Sequence, residues 1–232
     1  MTSIRRSPTT RSPTEPGRSL HIPRAVQVTA RFVVSAAGAA GFPADGTPEV
    51  AVVGRSNAGK SSLINALVRR PLARTSAAPG KTRLINYYQV RAAGRPTLYL
   101  ADLPGYGYAR GGTGARQVFE KLAREYFDWR PLSESRAPLP ARRRHLAGAL
   151  LLVDARHPDL AQDVEAHRWL RAKALPVIVV AAKIDKLTRA ARTRAEQQWE
   201  RSYEGAVLPV SAVTGEGLRE LRAMIDSLIR DR

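Results

Sequence analysis

One stretch limits what this chain can fold into more than any other. The apolar run Val50–Val53 stops at Gly54, eight residues reading GRSNAGKS follow, and Leu63, Ile64, Leu67 and Val68 then recur at helical spacing. A buried strand, a glycine-rich turn and a helix in that order open a βα unit, and GxxxxGKS at that junction is a phosphate loop. Its residues are Gly54, Arg55, Ser56, Asn57, Ala58, Gly59, Lys60 and Ser61, with Ser62 in the first helical turn behind it. Glycines let the backbone fold round a phosphate, exposed N–H groups and the helix N-terminus supply positive potential, and Lys60 adds a full charge beside the β and γ oxygens. Ser61 offers its hydroxyl to Mg²⁺.

Downstream the βα alternation continues. Leu84–Val90, Leu98–Ala101, Leu150–Val153, Val177–Ala181 and Val207–Val210 read as strands, and helical spacing is carried by Val118–Tyr126, Leu160–Leu170, Arg189–Tyr203 and Leu218–Leu228. Strands alternating with helices around a phosphate loop predict a P-loop α/β fold, with a mostly parallel, six-stranded central sheet and helices on both faces.

Motifs at the ends of later strands select the nucleotide. Asp102-Leu103-Pro104-Gly105 is DxxG directly after a strand, so the carboxylate can reach Mg²⁺ through water while the Gly105 amide meets the γ-phosphate. Thr82, in the segment with Gly80 and Lys81, can complete the Mg²⁺ shell when the γ-phosphate is present. Lys60, Thr82 and Gly105 are therefore the expected catalytic set. Lys183-Ile184-Asp185 is KxD after the fifth strand, and Asp185 can accept hydrogen bonds from N1 and N2 of guanine. Adenine lacks that donor pair and would leave a buried carboxylate unpaired. Ser211 and Ala212, after the last strand, can set a backbone N–H on guanine O6. GTP or GDP with Mg²⁺ is the implied ligand. A P-loop kinase fits less well, since DxxG and KxD both point to guanine.

Length and composition set the rest. At 232 residues and 44% hydrophobic content the chain can fill one sizeable core. It has no cysteine, which removes disulfides and thiolate metal sites, and no apolar run long enough to span a bilayer; a cytoplasmic monomer without a membrane partner is expected. The formal charge of +18, all but six of the 38 basic residues being Arg, attracts polyanions such as RNA. Residues 1–30, rich in Ser, Thr, Pro and Arg, are expected to be a disordered basic extension, and residues 31–232 the nucleotide-binding domain. Pro8, Pro13, Pro16 and Pro23 argue against the amphipathic helix of a transit peptide, and no secretory apolar core exists.

The assembled motifs resemble the bacterial EngB/YsxC type of GTP-binding protein, within the TrmE-Era-EngA-EngB-Septin-like GTPases. The resemblance rests on GRSNAGKSSLINAL from Gly54, PGKTRLINYYQV from Pro79, DLPGYGYA from Asp102, LLVDARHPDLAQDVEAHRWL from Leu151 and KIDKL from Lys183. It implies a GTPase switch in assembly of the large ribosomal subunit, with a subunit precursor and rRNA as partners. The alternative is a basic RNA-binding module with a degenerate nucleotide site. That reading is prompted by Ala182, which stands where the family has Thr or Asn tying the base loop to the phosphate loop; losing one hydrogen bond there is worth about 1 kcal/mol. A basic insertion at 130–145 also departs from the family pattern.

Tyr106 occupies the place of the glutamine that orients water in many GTPases, and a phenol cannot reproduce that geometry, so hydrolysis is expected to be slow. Asn57 resembles the potassium-coordinating asparagine of potassium-activated GTPases, which makes K⁺ a candidate cofactor. Residues about 72–82 and 104–116 are expected to move with the γ-phosphate, beside Arg74, Lys81, Arg83, Arg110 and Arg116.

Overall fold

The computed structural model describes residues 28–74, 84–107, 112–128 and 143–230. Its strands are β1 (Val28–Ala36), β2 (Asp45–Gly54), β3 (Ile85–Ala92), β4 (Leu98–Asp102), β5 (Arg143–Asp154), β6 (Val177–Ala182) and β7 (Val207–Val210). The helices are α1 (Lys60–Val68), α2 (Gly112–Phe127), α3 (Ala161–Arg171), α4 (Arg189–Ser202) and α5 (Leu218–Arg230). One sheet runs in the order β1-β3-β4-β2-β5-β6-β7. Strands β4, β2, β5, β6 and β7 are mutually parallel, β3 runs antiparallel to β4, and β1 antiparallel to β3.

All six expected strands are present, and the sheet has a seventh. Strand β1 begins at Val28, inside the segment expected to be disordered; residues 1–27 lie outside the described residues. It escapes a motif search because its burial is irregular. Only Ala30 and Ala36 are buried, and the register with β3 shifts between Phe32 and Val34. Strand β5 likewise begins at Arg143, within the expected insertion, whose residues 130–142 are outside the described set.

Alternation along the central strands divides the core. Val50, Val52, Leu150 and Leu152 face α1 and α5, while Ala51, Val53, Leu151 and Val153 face α2, α3 and α4. Both faces of β5 are covered, which is why Leu150–Val153 reads as an unbroken apolar run. Helix α5 buries Leu218, Leu221, Ile225 and Ile229, with Leu228 only half-buried beside them. Helix α4, polar over most of its length, is started by Thr188, whose hydroxyl accepts from the Ala191 N–H at 3.3 Å, and is held down by Ala195 and Trp199. Because five strands are parallel, their carboxyl ends open at one edge of the sheet, where ligands bind in open α/β folds.

Candidate nucleotide site

At that edge β2 gives way to the phosphate loop and α1. Gly59, with φ of 112°, makes the left-handed turn into the helix, a conformation that a side chain would strain. Asn57 also sits in the left-handed region at φ 66°, which asparagine tolerates. Lys60 folds back over the loop and donates to the carbonyls of Gly54 at 3.1 Å and Arg55 at 3.3 Å. Burial pushes its ammonium pKa down, and the charge of Asp102 opposes that shift.

Asp102 ends β4 directly beside β2, in register with Val52. Its carboxyl is buried and pushed up to about 6, chiefly by loss of water, with Lys60 pulling the other way. Its Oδ1 has no hydrogen-bond partner among the described residues. An orphaned carboxylate oxygen close to a phosphate-loop lysine suits a hydrated Mg²⁺, which binds through few protein oxygens and keeps its waters. Ser61, the second expected metal group, stands in the first turn of α1; Thr82, the third, lies outside the described residues, as do Gly80 and Lys81. Beyond Asp102 the chain continues along β2: the Leu103 N–H donates to Val52 O at 3.1 Å and the Ser56 N–H to Tyr106 O at 3.0 Å. Gly105 is thereby pressed on the phosphate loop so closely that a Cβ there would lie 2.6 Å from the Ser56 nitrogen. Only glycine fits.

The base side forms at the ends of β5, β6 and β7, where Asp154, Ala182 and Val210 stand in register. Asp185 follows in a short 3-10 turn, its Oδ1 accepting from the Ser211 hydroxyl at 2.7 Å, which holds its carboxyl below the usual range. Ser211 is fully buried, and its hydroxyl in turn accepts from the N–H groups of Val213 and Thr214. Ala212 is half-buried on that loop.

Lys183 adopts a left-handed backbone at φ 66°, costly for a lysine and typical of constrained functional positions. Its Nζ reaches across to the phosphate loop, donating to Asn57 O at 2.5 Å and to Asp154 Oδ2 at 2.9 Å. Burial of Asp154 opposes its ionisation, but bonds from Arg156 and Lys183 outweigh it and hold the carboxyl far below the ordinary range. The connection that Ala182 cannot make is thus made one residue later. Ala182 is itself buried next to Gly59, where its methyl packs and has no group to bond with.

The structure therefore brings together Gly54–Ser62, Asp102, Gly105, Lys183, Asp185, Ser211 and Ala212. Sequence reasoning missed Asp154, noticed only as part of DARHP, and Asp163, on α3, whose carboxylate accepts from Tyr106 and Arg55. Nothing in the motif spacing marks Asp163; its signal is a buried acid in an otherwise amphipathic helix. Tyr106 is no water-orienting group here, since its hydroxyl is committed to Asp163 and burial pushes its pKa up.

A phosphate loop, a DxxG turn and a guanine-type KxD turn on one edge of a parallel sheet define a P-loop GTP-binding protein. Comparison with known proteins agrees. The family model described as "50S ribosome-binding GTPase" matches residues 49–183, and the elongation factor Tu GTP-binding domain model matches residues 141–231. A "probable GTP-binding protein EngB" of Pelotomaculum thermopropionicum is 40% identical over 201 residues, spanning 84% of this chain and 93% of its own. Its namesake in Chlorobaculum tepidum is 41% identical over 202 residues, spanning 86% and 96%. Among solved structures, a probable GTP-binding protein EngB superposes with a TM-score of 0.60 at 23% identity, over 79% of this chain and 100% of that one. Aquifex aeolicus Era, solved with GDP and AlF4⁻, superposes with a TM-score of 0.63 at 22% identity, over 78% and 57%. The chain belongs to the EngB family of GTP-binding proteins, and its chemistry is GTP hydrolysis.

Proposed function

We propose that the protein is a slow GTPase whose nucleotide state governs attachment to a precursor of the large ribosomal subunit and its rRNA. The observation that carries this reading is that the DxxG and KxD turns each bond directly to the phosphate loop, through Ser56 and Asn57, so that phosphate and base recognition share one rigid frame. In that frame Lys60 neutralises the β and γ oxygens, and the Gly105 amide sits where it senses whether a γ-phosphate is present. Ser61, Thr82 and, through water, Asp102 would hold Mg²⁺, which when bound draws charge off the phosphates. Asp185 accepts from guanine N1 and N2, while Ala212 lies where its N–H meets O6.

Hydrolysis is slow because no side chain described at the DxxG turn orients water: the position after Gly105 is a tyrosine engaged elsewhere. The degenerate-site alternative is disfavoured by the intact Asp154–Lys183–Asn57 connection, a costly arrangement to maintain around a site that binds nothing. An RNA-rich partner is supported by the charge of +18 and by the exposed arginines Arg69, Arg70, Arg74 and Arg91. Support also comes from what is known of a fold neighbour, Era, solved with a segment of 16S ribosomal RNA. Sedimentation of a lysate in a non-hydrolysable GTP analogue and in GDP tests the proposal. The protein should travel with large-subunit particles in the analogue and leave them in GDP; identical profiles would refute it.

A further inference from the structure

Asp163 belongs to none of the nucleotide motifs, yet it is the point where three elements meet. It lies in the first turn of α3 and is fully buried. Its two carboxylate oxygens serve different parts of the site: Oδ1 accepts from the Tyr106 hydroxyl at 2.8 Å and Oδ2 from Arg55 Nε at 3.3 Å. Arg55 is the second residue of the phosphate loop, and Tyr106 directly follows Gly105. Between these two side chains the backbones pair as an isolated parallel bridge, Arg55 with Tyr106. The Tyr106 ring also packs on Phe119 of α2, with centroids 5.9 Å apart. A buried carboxylate is a costly way to fasten two segments when apolar packing would serve, and what it adds is direction: each partner has one geometry that satisfies it.

We propose that Asp163 is a positioning residue for triphosphate recognition. By fixing Arg55 and Tyr106 together it holds Gly105 against Ser56 before a γ-phosphate arrives, so that the Gly105 amide need not be ordered at the moment of binding. GDP has no group for Gly105 to meet and gains nothing from this preparation, whereas GTP gains all of it. This rests on reading the site as a GTP switch.

The test uses the full chain with Mg²⁺ and two variants, Asp163→Asn and Tyr106→Phe, titrated with fluorescent GDP and with a fluorescent non-hydrolysable GTP analogue. Asparagine keeps the shape of Asp163 and loses its charge; phenylalanine keeps the ring on Phe119 and loses only the hydroxyl. Each should bind the analogue roughly five- to tenfold more weakly while GDP affinity stays within about twofold, the effect of one charge-assisted bond. The double variant should be no worse than Asp163→Asn alone, because both remove one shared interaction. Equal losses for GDP and the analogue would reduce Asp163 to a structural role and overturn the proposal, as would unchanged affinity for both. If Asp163→Asn does not fold, Tyr106→Phe decides alone. Failure of the unaltered chain to bind either guanine nucleotide would instead sink the reading of the site itself.

Discussion

Replacing Asp102 with asparagine should stabilise the nucleotide-free fold while weakening its hold on Mg²⁺ and nucleotide. The carboxyl is buried at the end of β4 with one oxygen unpartnered among the described residues, and its pKa is pushed up to about 6 against an ordinary 3.8. A difference of that size means that ionising Asp102 inside the fold costs about 3 kcal/mol more than in the unfolded chain. The sign follows from the direction. A carboxyl with a raised folded pKa favours the folded state most when protonated, so its contribution is intact below about 4 and is lost as the pH rises through about 6. At pH 7.5 the wild type bears the full cost and Asp102→Asn bears none. For a domain of this size about 3 kcal/mol corresponds to a Tm increase of roughly 6–12 °C. Thermal melts of both proteins without nucleotide, at pH 7.5 and pH 5, supply the measurement, with the gap between them closing at the lower pH. With Mg²⁺ and a GTP analogue the order should reverse, because the variant lacks the carboxylate proposed to hold a metal-bound water. An equal or lower Tm for the nucleotide-free variant at pH 7.5 would refute the claim that Asp102 is stored at a cost for the metal.

Three further outcomes follow from the geometry. Asp154→Asn removes the charge that steadies Lys183 against the phosphate loop and should weaken GDP and GTP alike by roughly tenfold in fluorescence titrations. GTP turnover should be faster in K⁺ than in Na⁺ at equal ionic strength if the exposed Asn57 lends its side chain to a cation between the phosphates; equal rates would remove that role. Leu151→Ala, deep on the α2–α4 side of β5, should cost about 2–5 kcal/mol in urea unfolding.

Much of this architecture was legible in the residues, because parallel strands buried on both faces announce themselves as apolar runs and each motif sits at a strand end. Strand β1 was not, since an edge strand with two buried alanines and a shift of register carries little periodicity. The phosphate loop, Asp102, Gly105 and Asp185 were found because short, fixed spacing is what a pattern records. Asp163 was hidden because its partners lie far from it in the chain, 57 and 108 residues away, and only folding joins them. The same limit applies around Ala182. Its missing side chain was visible, but the reach of Lys183 to Asn57, across 126 residues, was not.

The two rims of the sheet have unequal exposure to other chains. Strand β7 is four residues long and includes Pro209, which has no N–H to offer a newcomer, so little backbone is available there for templated growth. The opposite rim, β1, is nine residues long, but its irregular pairing between Phe32 and Val34 interrupts it midway, and the Arg70 guanidinium already occupies the carbonyl of Ala30. Lateral zipping of one molecule onto another is thereby discouraged at both margins of the described sheet.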